Sequence, residues 1–126
     1  VSMYIDDSIH YDPKTALGEQ EFRALFPSTG HTLVSEEDGE VHTIAMFHQL
    51  RCLDLIRRDY AAGEITQYSD HCLNYLRQSI LCLADPRLES VRRSAPPHVV
   101  SLAGDYACKD WTALYDAAEA SGAKMA

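Results

Sequence analysis

Two short stretches carry the side chains able to do chemistry. His48-Gln49-Leu50-Arg51-Cys52 and Tyr68-Ser69-Asp70-His71-Cys72 each close a polar cluster on a cysteine, then run into apolar residues at helical spacing. Residues three and four apart share a helix face, so His48 stands with Arg51 and Cys52, and Tyr68 with His71 and Cys72. His48, His71, Arg51, Tyr68 and Asp70 offer a base, an acid and a cation for a developing oxyanion. Such a set suits ring closure by Michael-type or dehydrative addition, with the cavity folding the substrate into its reactive shape. No Gly-x-Ser-x-Gly elbow is present, so a serine hydrolase has no local signature here. Metal chemistry is the alternative. Copper or zinc held by imidazoles takes three or four protein ligands, fewer per chain where a site is shared between chains. Arg51 puts a permanent cation one turn from His48, which opposes a divalent ion there; Tyr68 as a phenolate and His42 are the available substitutes.

Each residue also has a structural reading. A histidine beside apolar residues is commonly a hydrogen-bonded core residue. Arg51 can pair with Asp54 or with a carboxylate on a facing helix. Asp70 can serve only as a cap, Asp110 and Trp111 as anchors of the last helix, and Arg77 as a buried ion-pair partner rather than a substrate contact.

The elements that position these residues follow from periodicity and turn chemistry. Residues 1–14 lack periodicity and read as an extended arm. Leu17, Phe22, Leu25 and Phe26 predict a short helix over 15–26, ended by Pro27, and Ser28-Thr29-Gly30 reads as a turn. Residues 32–34 and 40–44 are β-branched arms around Asp38-Gly39, a β-hairpin signal. His42 on its second arm faces the site or away from it according to register. A long helix is expected from about Ala45–Phe47 to Ala61, with Gly63 at its end. A second should run from Ser69 or Asp70, either of which can cap it, to Leu83, stopped by Asp85-Pro86. Its core stripe is Leu73, Leu76, Ile80 and Leu83. Residues 87–100 read as a long loop holding the basic pair Arg92-Arg93 and a stiff Ser94-Ala95-Pro96-Pro97. A final helix is expected over 109–120, with Trp111, Leu114 and Tyr115 turned inward, fraying at Ser121-Gly122-Ala123. The fold class expected is mainly α, a disulfide-stapled antiparallel helical hairpin with a short β-hairpin before it and a C-terminal helix packed on it.

Bulk properties bound the function. A chain of 126 residues is one domain with a single core. The net charge of −8 argues against nucleic acid or an anionic membrane surface as partner. No apolar run approaches the ~18 residues that span a bilayer, and Val1-Ser2-Met3-Tyr4-Ile5 does not read as a signal peptide. Four cysteines fit two disulfides in an oxidising compartment, or four buried thiols in a reducing one. Cys72 and Cys82 lie about 15 Å apart along one predicted helix and cannot bond each other. Cys52–Cys72 with Cys82–Cys108, or Cys52–Cys82 with Cys72–Cys108, remain, and the first is preferred.

The same stretches carry a resemblance. The chain resembles the fungal UstYa-like family, tailoring proteins of secondary-metabolite and cyclic-peptide biosynthesis marked by a paired His-x-x-His-Cys motif. Phe47–Leu53 matches the first copy; Asp70–Ser79, with Cys82 and Asp85, matches the second. Leu25-Phe26-Pro27 with Gly30, and Cys108-Lys109-Asp110-Trp111, extend the match over most of the chain. The departures are Arg51 and Tyr68 where the motifs carry histidine, and Tyr106 where the family often has another. The resemblance implies oxidative cyclisation, hydroxylation or halogenation, with copper as cofactor, on a small-molecule or peptide natural-product intermediate. It also implies a membrane anchor and the secretory lumen, so a lumenal or secreted protein without its anchor is expected. Because three histidine positions differ, the expectation is a metal-independent cyclase on an oxidase scaffold. His48 and His71 would move protons, Arg51 would hold an anion, Tyr68 would be a secondary donor, and Asp70, Arg77 and His42 would touch substrate. A copper oxidase using His48 and His71 is the alternative. A non-catalytic partner of an active paralogue is a third. A homodimer or a heterodimer with a paralogue is a further expectation, since a site on one helix pair can be completed across a dimer.

Overall fold

A computed structural model describes residues 1–28, 30, 32–91, 100, 101 and 103–125. Among these the element order is β1 (Ser2–Ile5), α1 (Ala16–Arg23), β2 (Thr32–Val34), β3 (Val41–Thr43), α2 (Ala45–Ala62), α3 (Gln67–Leu83), β4 (Ser90–Val91), β5 (Val100–Ser101), β6 (Gly104–Ala107) and α4 (Thr112–Met125). The chain is mainly α, and the strands pair antiparallel as β1 with β6, β2 with β3 and β4 with β5.

The centre is the helical pair. His48 meets Tyr75, Cys52 bonds Cys72, and Asp59 reaches Thr66, so α2 and α3 run antiparallel in a fixed register. Gly63 ends α2 with φ 69° and donates to the Asp59 and Tyr60 carbonyls, the left-handed C-terminal cap that glycine adopts without strain. The start of α3 corrects the expected one. The helix opens at Gln67, with Thr66 in the cap position and Ser69 and Asp70 inside the first turn. The capping oxygen comes instead from the other helix. The Asp59 carboxylate accepts the Thr66 N–H at 2.9 Å, the Thr66 hydroxyl at 2.6 Å and the Ser69 hydroxyl at 2.5 Å.

The far side of α2 holds the core. Phe47 is fully buried and meets Tyr115 of α4 edge-on, with centroids 4.9 Å apart. Tyr115 donates to the Leu25 carbonyl at 2.6 Å, and Glu119 accepts from both the N–H and the hydroxyl of Ser28 at 2.7 Å. These bonds clamp α4 over the turn after α1. Asp54 and Arg57 are buried as an ion pair at 2.8 Å, with Arg57 over the Phe22 ring. Asp110 caps α4 by accepting from the Thr112 N–H and hydroxyl, the anchoring role expected of it.

Several other expectations need correcting. Leu73, Ile80 and Leu83 are 56%, 69% and 68% exposed, so they are not a core stripe. The disulfide turns Cys72 towards α2, and Leu73 and Ile80 then lie about 80–100° round the helix from it. Leu83 shares the Cys72 side but overhangs the start of α2. The second disulfide is also absent: Cys82 is an exposed free thiol and Cys108 a half-buried one. Ten residues carry Cys82 about a quarter-turn off the Cys72 face, while Cys108 is held at the β1–β6 sheet by paired backbone bonds to Val1 of 2.6 Å each. The extended arm over 1–14 begins as β1, paired with β6. Helix α1 stops at Arg23, and α4 continues through Ser121-Gly122-Ala123 to Met125. The loop over 87–100 carries strands at both ends; Arg92-Arg93 and Ser94–Pro97 lie outside the described residues.

Candidate functional site

One edge of the α2–α3 pair gathers the chemistry. Four-residue spacing places His48 one turn before Cys52, and His71 one turn before Tyr75. The disulfide, with its Cα atoms 5.0 Å apart and both cysteines buried, fixes how the two stripes meet. His48 lies against the Tyr75 ring, centroids 4.0 Å apart and planes 23° from parallel. His71 lies 6.1 Å from His48 and 6.5 Å from Tyr75, its plane within 6° of the latter. The three rings form one stack-like cluster at the surface.

Next along the same edge opens a cleft of about 600 Å³ lined by Arg51, Leu55, Arg58, Asp59, Thr66 and Tyr68. Arg51 reaches Asp54 at 3.4 Å, the pairing allowed for it, but Asp54 is bound more closely by Arg57 at 2.8 Å. Arg51 therefore keeps much of its positive character at the cleft. Tyr68 is 58% exposed. Hydrogen bonds from Ser69, then from the Thr66 side chain and backbone, hold the Asp59 carboxyl below the usual carboxylate value.

The remaining candidates lie elsewhere. Asp70 lines a shallower pocket with Ile56, Tyr60 and Leu73, on the edge away from Tyr68. Arg77 is exposed, bonds Asn74 at 3.0 Å, and borders an apolar groove with Leu53 and Ile80; it is not a buried ion pair. His42 sits opposite Leu33 on the β-hairpin, exposed, with the Glu40 carboxylate at 4.0 Å. Several residues of the site went unrecognised in the sequence, Asp59 and Thr66 of the cleft wall among them. Tyr75 was signalled by its four-residue step from His71, and Arg58 by its seven-residue step from Arg51.

The chain is matched over residues 26–120 by the family described as mycotoxin biosynthesis protein UstYa. It belongs to the UstYa family. Oxidase ustYa of Aspergillus flavus is 31% identical, covering 84% of this chain and 61% of its own. UstYa family oxidase phomYb of Diaporthe leptostromiformis is 34% identical over 57% of this chain, and phomYd of the same fungus 25% over 86%. The chain thus spans between about a third and three-fifths of the length of these relatives. No solved structure matches. Among the described residues no helix is long and apolar enough to cross a membrane.

The copper that the UstYa resemblance implies was tested against the donor set. Cys52 and Cys72 are consumed in their disulfide. Among the described residues, the group of three or more His, Cys, Asp or Glu whose ligand atoms converge within 4.8 Å is Asp38, Glu40 and His42, exposed on the hairpin. Among the described residues, no third such donor converges with His48 and His71 within that distance, and the Arg51 cation stands one turn from His48. Two imidazoles fall short of the three or four ligands a self-contained copper site needs. The residues of this edge do not fit that metal unaided.

Proposed function

We propose that the chain is a tailoring enzyme of fungal natural-product biosynthesis that closes a ring on a small-molecule or peptide intermediate by acid–base catalysis. Membership of the UstYa family supports the pathway. The observation that supports the chemistry is the pair of imidazoles, 6.1 Å apart, on the same helices as, and three residues from, the guanidinium of Arg51 and the phenol of Tyr68 that line the cleft.

In this reading the substrate enters the cleft with its apolar part over Leu55. One imidazole removes a proton from the attacking group or from the carbon next to a carbonyl, and the other returns a proton as the ring closes. Arg51 stabilises the oxyanion that forms between these transfers. Tyr68, at the same wall, is a second proton donor. Tyr75 neither gives nor takes a proton: it lies flat on His48 and fixes the direction of that ring. The disulfide is at home in an oxidising compartment, and the secretory lumen is the proposed location.

The relatives, each named an oxidase, favour a second reading. There, His48 and His71 would be two ligands of a copper site completed from outside this chain. Reconstituting the pathway with variants in place of this gene separates the readings. On the acid–base reading His48→Ala and His71→Ala each lower the ring-closed product by about 10²-fold or more, and oxygen and chelators have no effect. Dependence on oxygen, abolished by chelator, would support the oxidase. Unchanged product from folded variants would leave a non-catalytic partner role.

A further inference from the structure

We propose that the cleft beside the histidines binds a carboxylate-bearing substrate, with Arg58 as the residue that receives the carboxylate. This rests on reading that edge as the active site.

Arg51 and Arg58 are seven residues apart on α2, so they face nearly the same way and lie about 10 Å apart along the helix axis. Both line the cleft. Their counter-charges differ. Arg51 shares Asp54 with Arg57, whereas Arg58 has no ion pair among the described residues. The acid in the cleft wall, Asp59, spends its hydrogen bonds on Thr66 and Ser69 at the start of α3, and feels the Arg58 charge only as a lesser influence. A chain of net charge −8 therefore presents two guanidiniums in one cavity, and among the described residues Arg58 has no carboxylate within ion-pair distance, Asp59 acting on it only as a nearby charge. The cavity volume of about 600 Å³ falls within the range of sites for small organic molecules.

A planar guanidinium fork matches a carboxylate with two parallel hydrogen bonds. Asp59 in the same wall disfavours the dianionic charge of a phosphate. With the carboxylate on Arg58, a ligand lying along Leu55 places an atom about two helical turns away beside Arg51. That is the end near the histidines. The ligand class is thus an organic acid, or a short peptide with a free C-terminus, whose carboxylate lies about 10 Å from its reacting carbonyl.

The test uses the intact chain and probes with and without the charge: 6-phenylhexanoate against its primary amide, and N-acetyl-Phe-Gly-Gly against its C-terminal amide, each titrated by NMR. Saturable binding of at least one acid, at least 10-fold tighter than its amide, is expected. Arg58→Gln should bring that acid to the affinity of its amide and leave the amide unchanged, and Arg58→Lys should restore part of the difference. Which acid binds tells the small molecule from the peptide. Equal binding of acids and amides, no binding of either, an unaltered acid affinity in folded Arg58→Gln, or equal competition by inorganic phosphate would overturn the proposal. The readout needs no catalysis, so it separates from the proton-transfer reading. Carboxylate selectivity with full activity in His48→Ala and His71→Ala would sink the latter alone.

Discussion

The imidazole of His48 on α2 and the phenol ring of Tyr75 on α3 lie face to face, 4.0 Å between centroids. The orientation of the first candidate base is thus set from the opposite helix. If Tyr75 acts by stacking, Tyr75→Phe retains most of the activity and Tyr75→Ala loses it by about 10–100-fold, since small displacements of a catalytic group cost rate on that scale. Product yield of the two variants in a reconstituted pathway decides. A Phe variant as poor as the Ala one would show that the hydroxyl, not the ring, matters.

The cysteine pattern gives a direct count. Denatured, unreduced protein should show two reactive thiols, Cys82 and Cys108, and reduced protein four. The Cys52–Cys72 bond closes a loop of sequence separation 20 and should contribute about 3 kcal/mol on the chain-entropy account. The double variant Cys52→Ala/Cys72→Ala is expected to melt well below the native protein. No reactive thiol before reduction and four after it, as a second Cys82–Cys108 bond would give, would contradict the arrangement.

Asp59 links the two helices electrostatically. Its folded pKa lies below the ordinary 3.8 because Ser69 and Thr66 donate to the carboxylate. A depressed folded pKa gives stability that is fully present above the unfolded value, about 4, and is lost as pH falls through the folded one. Asp59→Asn should lower Tm at neutral pH and flatten the decline below about pH 4. An unchanged acid limb in urea melts across that range would count against this role.

Gly18 tests the packing of the N-terminal arm. By helix propensity alone Gly18→Ala in α1 should stabilise the chain by about 1 kcal/mol. A Cβ there would stand 1.8 Å from the Asp12 carbonyl oxygen, however, so backbone must move. Overpacking typically costs about 1–3 kcal/mol, and a lower Tm is expected. A higher Tm would mean that the 12–18 contact is not held.

The sequence made the helical pair legible because its signals are local. Gly63 at positive φ, the Asp38-Gly39 turn and the Asp85-Pro86 stop each act within a few residues. The facing of α3 was less legible. Leu73 and Ile80 have the spacing of a buried stripe, but the disulfide and the Asp59 cap fix the rotation of the helix and leave them outside. The same cause hid Tyr75 and Asp59, whose partners lie on the other helix. Cys82 and Cys108 made an even count look like two bonds, although helix geometry turns Cys82 away.

The copper content of the purified chain tests the central claim most directly. His42→Ala protein, which silences the Asp38, Glu40 and His42 group of the hairpin, is loaded with Cu(II), desalted and assayed for metal. The account predicts far less than one copper per chain, unchanged by adding His48→Ala or His71→Ala. One copper per chain, lost with either histidine, would contradict it and make this edge a metal centre.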